Sequence, residues 1–130
     1  MGDRPRVLIT QSVHEEVLAV LRPHAEVIVN QSKETLSATE VRQRCADAVA
    51  MMAFMSDAVD REFLAACPQL KIVAGALKGC DNIDVEGCAE RGVWVTIVED
   101  LLTRPTAELA VALLLSLIRN VAPGLSLIHI

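Results

Sequence analysis

The sequence predicts an α/β protein built on a doubly wound, five-stranded parallel sheet of the flavodoxin-like kind. Three observations carry that expectation. Short aliphatic or β-branched runs alternate five times with segments of helical apolar spacing, a rhythm that crossover connections between parallel strands explain. Aromatic residues are scarce, with one Trp, two Phe and no Tyr in 130 residues that are 52% hydrophobic. The core must therefore be aliphatic, as where Val/Ile strands are covered by Ala/Leu helices. A mean hydropathy of +0.40 excludes a disordered chain, and 130 residues hold one domain with a core but not two.

Arg6 to Thr10 reads as the first strand. Val13 to Leu21 follows with helical spacing, Ser12 as its N-cap, Glu15 completing a capping box and Pro23 ending it. Glu26 to Asn30 is the second strand, and a helix runs to Cys45 from Thr39, or earlier from Ser37. The near-continuous apolar run Ala48 to Phe54 is a third strand, expected to be buried on both faces. Asp60 to Cys67 is a short helix stopped by Pro68, and Leu70 to Ala74 is the fourth strand. Val85 to Arg91 is a helix ended by Gly92, and Val93 to Ile97 is the fifth strand.

Thr103 to Glu108 opens a long helix reaching about Asn120, with Pro105 near its start and Glu108 placed in the first turn, where the helix dipole favours acid. From Ala107 to Ile118 apolar residues cover every face. Such a helix is expected to be buried all round. A single domain of this size covers one face at most, so a second domain or subunit is expected to cover the rest. Residues 1–122 thus read as one unit ending in the helix 106–120. Residues 123–130 end in Leu-Ser-Leu-Ile-His-Ile, which resembles translated read-through of a sequencing adapter. They are expected to be a non-native tail.

The segment Gly75-Ala-Leu-Lys-Gly-Cys-Asp-Asn-Ile-Asp84 holds the sharpest candidate chemistry. Its glycines permit φ > 0 and close backbone approach, and Lys78 between them adds a cation among backbone N–H groups, a combination suited to a small anion. Ligands in such sheets sit outside the carboxyl ends of the strands. Met55, Lys78 and residues 98–106 all follow such ends and are expected to line one crevice. Each also has a plainer role: Lys78 as a solvated charge, Met55 as a core filler, Thr103 and Thr106 as helix caps. Asp81, Asn82 and Asp84 read as turn-closing and capping residues, and His14 and His24 as surface residues.

Other classes are disfavoured. A net charge of −5 without a basic cluster argues against nucleic acid. The longest apolar run, Leu109 to Leu115, falls short of a membrane span. Met1-Gly2-Asp3 opens neither a signal peptide nor, with Arg6 in place of Ser or Thr, a myristoylation site. The four cysteines, at 45, 67, 80 and 88, form no Cys-x-x-Cys pair, so no metal is expected and reduced thiols in the cytoplasm fit. A Ser/His/Asp arrangement and a Gly-x-Gly-x-x-Gly phosphate loop are both missing.

Gly75 to Asp84, Arg91-Gly-Val-Trp-Val-Thr96 and Pro105-Thr-Ala-Glu-Leu-Ala110 together resemble the D-isomer-specific 2-hydroxyacid dehydrogenase family. The resemblance covers residue 6 to about 122, part of that family's substrate-binding domain. Leu77-Lys78-Gly79 departs from the small residues usual there. With Met51-Met-Ala-Phe-Met55 and Asp100-Leu-Leu-Thr103, it resembles the phosphonate (phosphite) dehydrogenase branch.

That resemblance implies an NAD-dependent oxidation of phosphite to phosphate by a homodimer. Lys78 and the backbone of Leu77 and Gly79 would hold the anion, Met55 and Leu102 would lie beside it, and Thr106 would sit at the substrate or nicotinamide side. It also implies that the NAD-binding domain and the family's catalytic Arg, Glu and His lie outside this chain, which alone would be inactive. A general D-2-hydroxyacid dehydrogenase with an incidental lysine is the alternative. A stand-alone flavodoxin-like binding module is a third; a phospho-receiver of that kind would need an acidic pair where Thr10-Gln11-Ser12 stand.

Overall fold

The computed structural model describes residues 4–128, in two compact units meeting between Val98 and Glu99. The Gly2 reading and the last two residues of the tail, His129 and Ile130, lie outside the described residues. The first unit contains β1 (Arg6–Ile9), α1 (Glu15–Leu21), β2 (Glu26–Val29), α2 (Ala38–Cys45), β3 (Ala50–Ala53), α3 (Arg61–Ala66), β4 (Ile72–Gly75), α4 (Val85–Glu90) and β5 (Trp94–Thr96). The strands form one sheet in the order β2-β1-β3-β4-β5, every pairing is parallel, and the predicted flavodoxin-like architecture is observed.

One register row explains the core. Ile28, Leu8, Met51, Val73 and Val95 pair across the five strands, and all belong to or pack against a single cluster. Helix α2 adds Val41 and Cys45 to it, α3 adds Phe63 and Leu64, and α4 adds Cys88. Ile9, next to Leu8 in β1, points to the opposite face and is also fully buried, as is Leu18 of α1. Strand β3 is less enclosed than its apolar run suggests: Met51 and Ala53 are buried, but Ala50 and Met52 are half-buried. A hydrogen bond between the free Cys45 and Cys67 thiols pushes Cys45 up, with burial adding to the rise, and holds Cys67 below the usual thiol range against the effect of burial.

Capping differs from expectation at one end. Helix α1 starts from His14 without a side-chain cap, and Ser12 instead donates to Gln31 Oε1 at 3.4 Å; the Ser12–Glu15 capping box does not form. Ser37 does cap α2, reciprocally with Glu40. Asp60 and Asp84 cap α3 and α4 through Phe63 N and Gly87 N, so the structural reading of Asp84 holds. His14 and His24 are exposed as expected.

The second unit consists of α5 (Thr103–Ile118) and α6 (Val121–Ile128). Asn120 separates them with φ 52°, a left-handed residue of the kind Asn tolerates. Because α5 starts at Thr103, Glu108 falls outside its first turn and instead accepts from Arg104 Nε at 2.7 Å. No residue of α5 is buried: the all-apolar helix expected to be enclosed stands uncovered within this chain, with Leu113 62% and Leu117 76% exposed. Helix α6 covers most of the stretch expected to be a non-native tail. Among the described residues no helix is long and apolar enough to cross a membrane.

Candidate functional site

Strands β3 and β4 are neighbours, so the turns leaving their carboxyl ends lie side by side. Ala76 N–H donates to Ala53 O at 2.8 Å, extending the ladder one step past the strands. Beyond that point one turn carries Met55, 78% exposed, and the other carries Lys78 and Gly79, both exposed. Three of the predicted site positions, Met55, Lys78 and Gly79, are therefore brought to one sheet edge on exposed turns. Met55 is no core filler, since nearly all of its side chain meets solvent.

Leu77 lies between these exposed residues but points inward, 2% exposed. Its carbonyl accepts from Val98 N at 3.0 Å, so its side chain anchors the turn and leaves Lys78 outside. Gly75 and Gly79 differ in what they require. At Gly75 a Cβ would lie 3.1 Å from Thr96 O and 3.3 Å from Leu77 Cγ, so close packing against the β5 backbone demands glycine. At Gly79 a Cβ would meet only Asp81 Oδ2, at 3.6 Å, and neither glycine has positive φ. The left-handed conformation that glycine permits is adopted at neither, so the segment is not an alternating-hand backbone nest. Any anion preference here rests on Lys78 and on the open backbone at Gly79.

Behind the two turns lies a polar group that sequence patterning did not reveal. Asp57 is 5% exposed and Thr10 is 1% exposed. Thr10 Oγ1 donates to Asp57 Oδ2 at 2.5 Å, and Phe54 N–H donates to the same oxygen at 2.7 Å. Asn82 Nδ2 donates to Phe54 O at 3.1 Å and to Asp57 O at 2.6 Å. Asn30, 4% exposed, donates to Thr10 O at 3.2 Å and Glu34 O at 2.8 Å. Only the polar interruption of an apolar run (Thr10 after Val-Leu-Ile, Asp57 after Ala-Phe-Met-Ser) could have signalled these residues.

Thr106 and Leu102 lie in the second unit and are described there. Thr106 Oγ1 donates to Leu102 O at 2.6 Å, and its N–H points to the same oxygen at 3.2 Å. The Thr106 hydroxyl is thus used within the first turns of α5; it caps no N–H, since Leu102 is the N-cap and no side chain caps the helix. Leu102 is 47% exposed at the helix N-cap.

Nothing among these residues fits a dinucleotide. The β1–α1 turn, Gln11-Ser-Val-His14, holds no glycine that would let a pyrophosphate approach. Among the described residues no group of three or more His, Cys, Asp or Glu could hold a metal ion.

The parallel β2-β1-β3-β4-β5 sheet with paired turns at its carboxyl edge is a doubly wound α/β domain whose strand ends are open to a ligand. The chain belongs to the D-isomer specific 2-hydroxyacid dehydrogenase family, whose catalytic domain matches residues 7–122. Among its relatives, a glyoxylate reductase of Thermococcus onnurineus is 38% identical over 117 residues, 90% of this chain and 35% of that protein. One from Pyrococcus furiosus is 36% identical over 121 residues, 93% of this chain and 36% of that protein. The crystal structure of the TT0316 protein from Thermus thermophilus superimposes with TM-score 0.86 at 34% identity, over 93% of this chain and 39% of that one. An NADPH-dependent glyoxylate/hydroxypyruvate reductase from Sinorhizobium meliloti, solved with NADP and malonate, gives TM-score 0.65 at 30% identity, over 88% of this chain and 34% of that one. The chain therefore spans little more than a third of the length of these relatives.

Proposed function

We propose that this chain is the substrate-side part of a cytoplasmic, homodimeric NAD(P)-dependent oxidoreductase acting on a small 2-oxo or 2-hydroxy acid, with glyoxylate as the first candidate. The observation that carries the proposal is the family match over residues 7–122; Lys78, exposed on the turn after β4 beside the Met55 turn, is the candidate cation. A cation at that edge offers a charge-assisted hydrogen bond to a substrate oxyanion. Leu77 and Gly79 present backbone to the same ligand; by the family resemblance Met55 and Leu102 are assigned to the substrate and Thr106 to the substrate or nicotinamide side. Its glyoxylate reductase relatives favour glyoxylate. NAD(P) would be held by residues outside this chain, and so would the groups that move protons. A stand-alone binding module would not be expected to match a dehydrogenase family. In this reading residues 123–130 are foreign to the enzyme, and independent reads of the coding DNA across that point test it.

Phosphite oxidation is the second reading, and Lys78 is the specific feature that favours it. Phosphite carries more charge than a monocarboxylate, so an added cation has a clear use there. The test is turnover by the full-length protein: glyoxylate reduction with NADH or NADPH, and phosphite oxidation with NAD. Glyoxylate turnover alone supports the first reading. Phosphite turnover that Lys78→Ala abolishes supports the second. Turnover of neither substrate overturns both.

A further inference from the structure

We propose that Asn82 is a positioning residue: with Asp57 and Thr10 behind it, it clasps the Met55 turn to the Lys78 turn and so sets the affinity of the site for its anionic substrate. The inference rests on the reading of Lys78 as the anion-holding cation.

The geometry is unusually complete. Past the Ala76–Ala53 bond the sheet ladder ends, and the two turns would be free to part. Asn82, on the Lys78 side, reaches across and uses its amide on the Phe54 and Asp57 carbonyls, 3.1 and 2.6 Å away. Its own backbone carbonyl accepts from Val59 N at 2.9 Å, and Asp84 N donates to Val59 O at 2.8 Å. Ile83 and Val59 thus form an isolated parallel bridge. The Met55 turn is closed on itself, because Asp57 Oδ2 takes the Phe54 N–H and the Thr10 hydroxyl. One end of this network is therefore fixed in β1 strand-end backbone, and the other holds the turn that bears Lys78. Sites are only as precise as the side chains supporting them, and a shift of about 1 Å can cost roughly a hundredfold.

The experiment uses the full-length enzyme with whichever anion it turns over. Asn82→Ala is expected to raise KM for the anion about tenfold or more, with KM for the nucleotide changed less than about twofold. Thr10→Val, which reaches the turns only through Asp57, is expected to shift KM the same way, and Thr10→Ser to restore it. A merely structural role would lower the melting temperature and leave KM unchanged at a temperature well below melting, which overturns the proposal. If neither glyoxylate nor phosphite is turned over, the functional reading fails by itself. The clasp is then decided by hydrogen exchange: Asn82→Ala should strip protection from the Val59 and Asp84 amides together while the β1–β2 amides keep theirs. Retained protection at Val59 and Asp84 would refute the clasp.

Discussion

Lys78 and Asp57 are charged side chains at the same sheet edge, yet their surroundings assign them opposite consequences. Lys78 is exposed, so Lys78→Ala should change stability by less than about 0.5 kcal/mol while lowering turnover of the full-length enzyme. Gly79→Ala should behave likewise, since a methyl there meets nothing closer than 3.6 Å; urea unfolding and kinetics on one preparation check both. Thr10→Val should do the reverse. It leaves a buried carboxylate short of one donor, at a cost of about 1–3 kcal/mol, read as a lower urea midpoint. The two groups also differed in legibility. Lys78 stood out because a lysine between glycines after an apolar run is locally odd. The Thr10–Asp57–Asn82 network was hidden because its partners lie up to 47 positions apart and only the parallel register brings them together.

The helices carry their own predictions. Ser37 donates to Glu40 Oε2 through its hydroxyl at 2.7 Å and its N–H at 2.9 Å, and this bonding holds the Glu40 carboxyl below its ordinary value. A lowered folded value means the stabilisation is fully present above the ordinary glutamate pKa and is lost as pH falls through the folded one. Protection of the Glu40 amide, its exchange taken relative to the intrinsic rate at the same pH, should therefore fall on acidification, and Ser37→Ala should remove most of that pH dependence. Phe63, 2% exposed in α3, is the largest core side chain, and Phe63→Ala should cost about 3–5 kcal/mol in denaturant unfolding. Gly87→Ala should unseat the α4 cap, because its Cβ would lie 2.6 Å from Asp84 Oδ2. The succession of strands and helices and most helix bounds were legible because period and capping chemistry are local. The Ser12 cap was misread because Gln31, nineteen positions away, takes its hydroxyl. The opening of α5 at Thr103 was legible, but Glu108, five residues further on, lies beyond the first turn where the dipole argument had put it.

At the scale of the molecule, the first unit has a closed core on one face of its sheet, whereas the second is a pair of apolar helices with nothing buried in α5. Exposed apolar surface of this kind drives association. The chain by itself is expected to sediment as concentration-dependent oligomers, and Leu113→Glu with Leu117→Glu should shift it towards monomer; a monodisperse parent at all concentrations would contradict this. The sequence pattern announced that α5 needs a cover, since apolarity on every face is visible without coordinates. What does the covering was not legible, because that depends on residues other than these.

Strand β5 lies at the sheet edge and carries the chain's sole tryptophan. Trp94 is 75% exposed and borders an apolar hollow with Val85, Ala89 and Val93. Its indole is therefore a built-in optical probe without background from a second fluorophore of its kind. Emission from the chain alone should lie near that of indole in water and be readily quenched by iodide. A blue shift with loss of quenching in the longer protein would report, without any label, that another part of the molecule has closed over this edge.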